Sequence, residues 1–437
     1  MRRPSHVLLA LAVTAIAWGA VPWGTFQFDD FRNVVRDPAT TEFAALAERL
    51  PHGLRPLTRL SYFLDAQIYG MRAAGFLSTN LLLHAITVML VFALARRRLG
   101  DAGALAAALA FAVQPANAEV VAYVSGRSTG LMTPLLLGGL LLYDQGRQIG
   151  ALALFALACL AKEHALVFPA LVFAWELTRT EPRRGAARDV VITVTLATVV
   201  AALVLNIDGY RSLLTHWLTD KSIGENLHAN ARAIPQMLSL WFRPWALSAD
   251  HAFDPRLNLA ASIAGSMLLL TAAGLAVALR RRCPMLALAI AWPLLALLPT
   301  NSILAKADLV TEKPLYLAWV GPAIALGATV PALVRFTANR ATRRVLLGAA
   351  GFVLCAAVGA SIWRASLWRD PVALWTDAVA KAPHKSRCWN NLGMAHLAVH
   401  READAIAAFQ RAVLLDPANE HASLNLVAAR ALYTIRD

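Results

Sequence analysis

The chain has 437 residues, of which 58% are hydrophobic and only 16% charged, and its formal net charge is +14. In a soluble protein that charge would suggest nucleic-acid binding. Here the arginines cluster between long apolar runs, which is typical of the cytoplasmic loops of a polytopic membrane protein. The composition therefore excludes a soluble globular protein and disfavours a nucleic-acid partner.

Apolar runs predict an all-α fold with about eleven transmembrane helices. They lie near residues 7–24, 77–95, 102–113, 128–143, 149–161, 165–178, 190–206, 258–279, 285–299, 315–334 and 345–363. The first run has no small-residue cleavage site after it, so we expect a retained helix rather than a signal peptide. With the arginine clusters inside, residues 25–76, 114–127, 162–164, 207–257 and 300–314 are expected on the outer face, as is the C-terminus.

Two adjacent acids, Asp29 and Asp30, directly follow the first apolar run. Carboxylates at a bilayer surface cost free energy unless they are solvated, paired or used in chemistry. One could act as a general base while the other shapes the field or binds a metal. The alternative is a solvated loop start or a helix cap.

A second candidate group lies at residues 114–127, where Glu119, Tyr123 and Arg127 are spaced four apart and would share one helical face. They could offer an acid, a stacking ring and a phosphate-binding guanidinium. A salt bridge that is only structural is the alternative.

Further polar residues interrupt the later apolar runs. Lys162 could bind a lipid phosphate or only anchor its helix at the interface. His84 lies one turn after Asn80 within a predicted span, where either function or a helix-to-helix hydrogen bond is expected. Glu312 and Lys313 add charges to the expected outer face.

From about residue 371 the composition changes and a 34-residue repeat appears. The pattern is typical of tetratricopeptide helix pairs, and its packing residues are Trp389, Leu392, Gly393, Ala405, Phe409, Ala412 and Pro417. Because so few repeats seldom stand alone, we expect residues 371–437 to pack on the membrane domain.

Taken in order, the short motifs resemble transmembrane and tetratricopeptide repeat-containing O-mannosyltransferases and their bacterial relatives, which are GT-C glycosyltransferases. The motifs are Phe28-Asp29-Asp30, Arg55-Pro56-Leu57, Asn80 to His84, Glu119 to Arg127, Ala161-Lys162-Glu163 and Glu312 to Tyr316. The resemblance implies a GT-C membrane domain over residues 1–365. It also implies inverting transfer of a sugar from a polyprenyl phosphate to an acceptor on the non-cytoplasmic side.

The same resemblance implies roles for individual residues. Asp29 would be the base and Asp30 its assistant, with Glu119 and His84 shaping the site. Candidates for binding the donor phosphate or substrate are Arg127, Lys162, Lys313, Arg55 and Glu312. The chain departs from the family at Gln114, Asn117 and Leu77, where histidines are usual, so mannose is not specified as the sugar.

The sequence thus predicts a glycosyltransferase of a bacterial inner membrane, with its site and its C-terminal tetratricopeptide module facing the periplasm. The donor would be a polyprenyl-phosphate sugar, and the acceptor a protein or glycan. The sequence specifies no cofactor and leaves a divalent cation open, for which Asp29 and Asp30 would be the ligands. Alternatives are a ligase, polymerase or flippase acting on lipid-linked glycans, or a membrane-anchored scaffold whose tetratricopeptide module recruits a protein partner.

Overall fold

In a computed structural model, residues 4–179, 185–219, 222–301, 308–336 and 339–436 are described, and their regular elements are all helical. The α-helices are α1 (Pro4–Trp18), α2 (Phe43–Arg49), α3 (Pro56–Tyr69), α4 (Ala73–Ala112), α5 (Ala118–Val121), α6 (Arg127–Asp144), α7 (Gln148–Ala161), α8 (Phe168–Leu177), α9 (Ala186–Leu205), α10 (Asp208–Thr219), α11 (Ile223–Ser239), α12 (Leu259–Leu279), α13 (Pro284–Leu297), α14 (Lys313–Ala318), α15 (Val320–Phe336), α16 (Arg340–Arg369), α17 (Pro371–Lys381), α18 (Ser386–Ala398), α19 (Glu402–Leu415) and α20 (Glu420–Arg436).

Helix α4 consists of two arms that turn back on each other at Gly100. This glycine has a φ of 72°, a left-handed conformation that costs it little because it has no Cβ. A straight helix would place His84 and Ala112, 28 residues apart, about 42 Å from each other, yet the His84 Nε2 lies 3.2 Å from the Ala112 carbonyl oxygen. The predicted helices 77–95 and 102–113 are therefore the two arms of one hairpin.

All eleven predicted apolar segments are helical in the structure. In the described part of the chain, five helical stretches are long and apolar enough to cross a membrane: Ser5–Trp23, Ala73–Ala112, Leu259–Leu279, Lys313–Leu333 and Arg340–Arg369. The apolar helices Gln148–Ala161 and Pro284–Leu297 are shorter. The chain is a membrane protein, while the count of eleven spans stays a prediction.

Small residues let the central helices approach closely. A Cβ added to Gly327 of α15 would lie 2.3 Å from the carbonyl oxygen of Gly103 on α4, and one added to Gly103 would lie 3.0 Å from the Gly327 carbonyl oxygen. Inside a bilayer the hydrophobic effect does not drive helices together, so close van der Waals contact between backbones stabilises their packing. These two glycines thus fix the distance between α4 and α15.

The last four helices form a separate packing unit after a sharp break. The Asp370 side chain accepts hydrogen bonds from the backbone N–H groups of Val372 and Ala373, and Pro371 begins α17. Between α18 and α19 a Cβ at Gly393 would lie 2.5 Å from the Phe409 ring, so only glycine fits there without a shift. The buried pattern agrees with helix pairs, and their identification as tetratricopeptide repeats stays a prediction.

Replacing Gly327 with alanine should destabilise the bundle, because the new methyl would meet backbone atoms that cannot move aside cheaply. We expect a loss of about 1–3 kcal/mol, seen as a lower thermal unfolding midpoint of the detergent-solubilised protein. Gly274→Ala on α12 is the matched control, since a Cβ there meets nothing within 4 Å. Equal midpoints for the two variants would contradict this packing.

Candidate functional site

The acidic pair lies in a loop whose backbone is strained. Phe28, which precedes Asp29, has a φ of 41° although it is not a glycine. The left-handed region costs such a residue about 1–2 kcal/mol. A conformation of this kind persists only where the surroundings hold it, and it is concentrated at functional sites.

Asp30 is one of the groups that holds this loop. Its carboxylate is fully buried and accepts hydrogen bonds from the Gln27 N–H (2.9 Å), the Ser125 N–H (2.7 Å) and the Ser125 hydroxyl (2.6 Å). Burial raises the pKa of Asp30 to about 7, against the opposing effect of these hydrogen bonds and of the Lys313 charge. Asp30 thus fastens the loop to the turn that contains Ser125.

Asp29 has a different environment. Its backbone N–H donates to the Tyr123 hydroxyl at 3.0 Å, which fixes the main chain at this residue. Its side chain is half-buried, and no hydrogen bond or ion pair from the described residues engages its carboxylate. Of the two acids, Asp29 is therefore the one available to another molecule.

Tyr123 connects Asp29 with a cation. The Lys313 Nζ lies 4.6 Å from the centroid of the Tyr123 ring and 3.5 Å from Glu119 Oε1. Glu119 Oε2 also accepts hydrogen bonds from the backbone N–H groups of Glu312 (2.9 Å) and Lys313 (3.0 Å), where α14 begins. The Glu119 carboxylate therefore binds both the backbone N–H and the ammonium group of Lys313.

Behind Lys313, Glu312 is completely buried. Its Oε1 accepts a hydrogen bond from the Ser248 N–H at 2.7 Å and contacts His251 Nε2 at 3.0 Å and Arg364 Nη2 at 3.6 Å. Arg364, also completely buried, extends from α16 to Asp377 on α17 at 3.3 Å. Glu312 is thus held inside the protein rather than at a surface.

Arg127 is buried as well. The sequence predicted that it binds the donor phosphate, whereas in the structure its guanidinium binds other residues of the protein. Its Nη2 donates to Asp65 (2.7 Å) and to the Phe76 carbonyl oxygen (2.6 Å), its Nη1 to Ser61 (3.3 Å) and its Nε to Asn80. Because the guanidinium is 0% exposed, it joins α3, α4 and α6 rather than facing a ligand. The sequence did not indicate this, since Asp65 lies 62 residues away.

Arg55 and Lys162 meet at Glu163. Arg55 forms a two-point ion pair with Glu163 (2.6 and 3.0 Å), and although burial opposes ionisation, this pair lowers the pKa of Glu163 to about 2. The Lys162 Nζ donates to the Thr129 hydroxyl at 2.7 Å. On α3, which Arg55 precedes, Tyr62 donates its hydroxyl to the Val124 carbonyl oxygen at 3.2 Å, so this cluster neighbours the turn that binds the acidic loop.

His84 lies deeper in the bundle. Its two ring nitrogens are within hydrogen-bond distance of the Tyr316 hydroxyl (2.8 Å) and of the Ala112 carbonyl oxygen (3.2 Å). His84 therefore has its partners on α4 and α14. It does not contact the group formed by Asp29, Asp30, Glu119, Glu312 and Lys313.

Among the described residues, no group of three or more His, Cys, Asp or Glu side chains is arranged to hold a metal ion. Sequence reasoning did not single out Ser125 or Arg364. Arg364 could have been found, because it directly follows a predicted span, where an arginine needs a partner. Ser125 carries no such signal, since its partner Asp30 is 95 residues away.

Comparison with known proteins confirms the resemblance inferred from the motifs. Over 182 residues (37% of this chain and 26% of the relative) the sequence is 25% identical to a protein O-mannosyl-transferase of Caenorhabditis elegans. Over 118 residues (24% of this chain and 14% of the relative) it is 36% identical to one of Drosophila melanogaster. The matched segments thus span about a quarter or less of these relatives. No family model matches the chain.

Two solved structures align with most of this chain. ArnT from Cupriavidus metallidurans bound to undecaprenyl phosphate aligns with a TM-score of 0.49 and 17% identity, covering 98% of this chain and 77% of ArnT. The oligosaccharyltransferase of Archaeoglobus fulgidus aligns with a TM-score of 0.45 and 11% identity, covering 84% of this chain and 55% of the transferase.

The pKa of Asp30 predicts a pH effect on stability. Because burial raises the pKa of Asp30 to about 7 in the folded protein, well above the ordinary value for an aspartate, the folded protein binds a proton that the unfolded chain releases. This contribution to stability is present at low pH and is lost as pH rises toward 7. Relative to Asp30→Asn, which does not titrate, the wild type should therefore lose unfolding free energy between about pH 4 and pH 7.

Thermal unfolding of both proteins across that range measures the effect, and other titrating groups cancel in the difference. A difference that stays constant or grows in favour of the wild type with rising pH would show that Asp30 is ionised throughout.

Proposed function

We propose that this protein is an inverting glycosyltransferase that moves a sugar from a polyprenyl-phosphate donor to an acceptor hydroxyl, on a protein, at the non-cytoplasmic face of the membrane. One observation carries the proposal. The hydroxyl of Tyr123 accepts a hydrogen bond from the backbone N–H of Asp29, whose carboxylate is unengaged among the described residues, and the ammonium of Lys313 packs on the ring of the same tyrosine. A base and a cation that both neighbour one tyrosine suit a reaction that removes a proton and releases a phosphate.

In the proposed step, the carboxylate of Asp29 takes the proton of the acceptor hydroxyl as that oxygen attacks the anomeric carbon. A new bond forms between the acceptor oxygen and the sugar. The bond from the anomeric carbon to the phosphate oxygen breaks, and its electron pair leaves with the polyprenyl phosphate. Attack opposite the leaving group inverts the anomeric centre.

Lys313 would stabilise the leaving phosphate, because its side chain is partly exposed and its ammonium lies over the ring of Tyr123, which binds the Asp29 backbone. Lys162 is a second candidate. Arg127 would act indirectly, by fixing the turn that contains Tyr123 and Ser125. The likeness to protein O-mannosyl-transferases supports a glycosyl transfer with a protein acceptor, while the sugar is left open.

The localisation is part of the same proposal. The acidic loop and residues 371–437 would face the periplasm of a bacterial inner membrane, with the arginine clusters in the cytoplasm. The lipid tail of the donor would then lie between helices while its phosphate stays at the outer interface.

Replacing Asp29 with asparagine should lower sugar transfer by about 10²–10⁴-fold, because the amide cannot accept the acceptor's proton. The assay supplies a labelled polyprenyl-phosphate sugar and a candidate polypeptide to the purified, folded protein. Glu42→Gln is the control, since it removes an exposed carboxylate from the same outer segment. Near-normal transfer by Asp29→Asn would remove Asp29 from the role of base. Extended lipid-linked glycan instead of glycosylated polypeptide would favour a polymerase or ligase.

Lys313→Gln should raise the KM for the lipid donor by about tenfold, since a charged hydrogen bond to phosphate is lost. Arg256→Gln is the matched control, because it removes one positive charge from an exposed side chain of residues 207–257. If both substitutions change KM equally, the effect of Lys313 is only that of net charge.

A further inference from the structure

The C-terminal helices touch the acidic loop directly. The ring of Trp375, on α17, packs edge-on against the ring of Phe28 with 5.5 Å between centroids and 63° between planes. Nearby, the Gln27 side-chain amide donates to the carbonyl oxygen of Trp368 at 3.1 Å. The loop that presents Asp29 is therefore in contact with the segment where α16 passes into α17.

Trp375 is itself fixed by its surroundings. Only 4% of it is exposed, and it belongs to the apolar core shared by α17 and α18, with Ala378, Cys388 and Leu392. Its ring position is therefore set by the packing of these helices rather than by the loop.

Charged contacts hold these helices on the membrane domain. Arg387 forms two-point ion pairs with Asp250 (2.7 and 2.7 Å) and with Asp308 (2.7 and 3.0 Å). On α17, the Lys381 Nζ donates to the Leu247 carbonyl oxygen at 2.6 Å. Because these contacts lie on both α17 and α18, the helix pair has one defined position against the outer segments.

The contact with Trp375 falls on the strained residue of the loop. Gln27, Asp29 and Asp30 are each held by hydrogen bonds, whereas the side chain of Phe28 is 42% exposed and is held by ring packing. A left-handed φ at a phenylalanine persists only when neighbouring groups over-determine it. Removing the ring that packs on Phe28 would therefore release the residue next to Asp29.

We infer that Trp375 is a positioning residue for Asp29, and that the C-terminal helices act in cis on sugar transfer by fixing the acidic loop. This inference rests on the proposed function. Under this inference, residues 371–398 help to position the catalytic loop. Their function is then not limited to recruiting a partner.

The test compares three variants of the full-length protein with a polyprenyl-phosphate sugar that the wild type accepts. Trp375→Ala should lower kcat by about 10–100-fold, since small misplacements of a catalytic group have effects of that size. The KM for the donor should stay near the wild-type value because Lys313 is untouched. Trp375→Phe, which keeps a ring against Phe28, should restore most of kcat.

Trp389→Ala is the matched control. Trp389 lies in the same helical unit and packs on the same core, and its indole N–H donates to the Pro383 carbonyl oxygen at 2.9 Å. This variant should lower the unfolding midpoint while leaving kcat near the wild-type value. If Trp375→Ala keeps a wild-type kcat, or if both alanine variants lower kcat equally, the inference is overturned.

Phe28→Ala completes a double-mutant cycle. If the two rings act through each other, combining Phe28→Ala with Trp375→Ala should lower kcat no further than either change alone, and additive losses would overturn the inference. Failure of the proposed function looks different, because the wild type would then transfer no sugar and no variant comparison would arise.

Discussion

A buried arginine is the constraint on which the rest of the site depends. Arg127 lies wholly inside the protein, where an unpaired charge would be very costly, so its partners must be present together. They come from α3 (Asp65 and Ser61) and from α4 (Asn80 and the Phe76 carbonyl). These contacts fix the position of Arg127 at the start of α6. They therefore also fix the preceding turn, which contains Tyr123 and Ser125.

That turn gives the adjacent acids different environments. Ser125 donates two hydrogen bonds to Asp30, which attach the loop to the turn. Tyr123 accepts a hydrogen bond from the Asp29 backbone, so the Asp29 carboxylate is left unengaged among the described residues. Two like charges so close would otherwise repel each other. Burying one of them behind hydrogen bonds lets the other face outward as a single base, which is the arrangement the proposed transfer needs.

A chain of buried and half-buried charges links this site to the C-terminal helices. It runs from Lys313 and Glu119 through Glu312 and Arg364 to Asp377 on α17. Separate ion pairs of Arg387 hold α18 on the outer segments. The membrane bundle and the C-terminal helices are therefore joined by polar contacts next to the acidic loop. A change in how the C-terminal helices dock would alter the site through these contacting side chains.

Apolar periodicity and the placement of charges were enough to predict the membrane class and the helices, because both report local burial and its cost. The arginine distribution predicted Asp29, Glu119 and Lys313 on one face of the bundle, and their roles in a site stay predictions. The burial of Asp30, the internal position of Arg127 and the partner of His84 on α14 follow only from the assembled fold, since they depend on contacts across 95, 62 and 232 residues that no local pattern encodes. The hairpin at Gly100 and the packing of Trp375 on Phe28 likewise exist only once the helices are assembled.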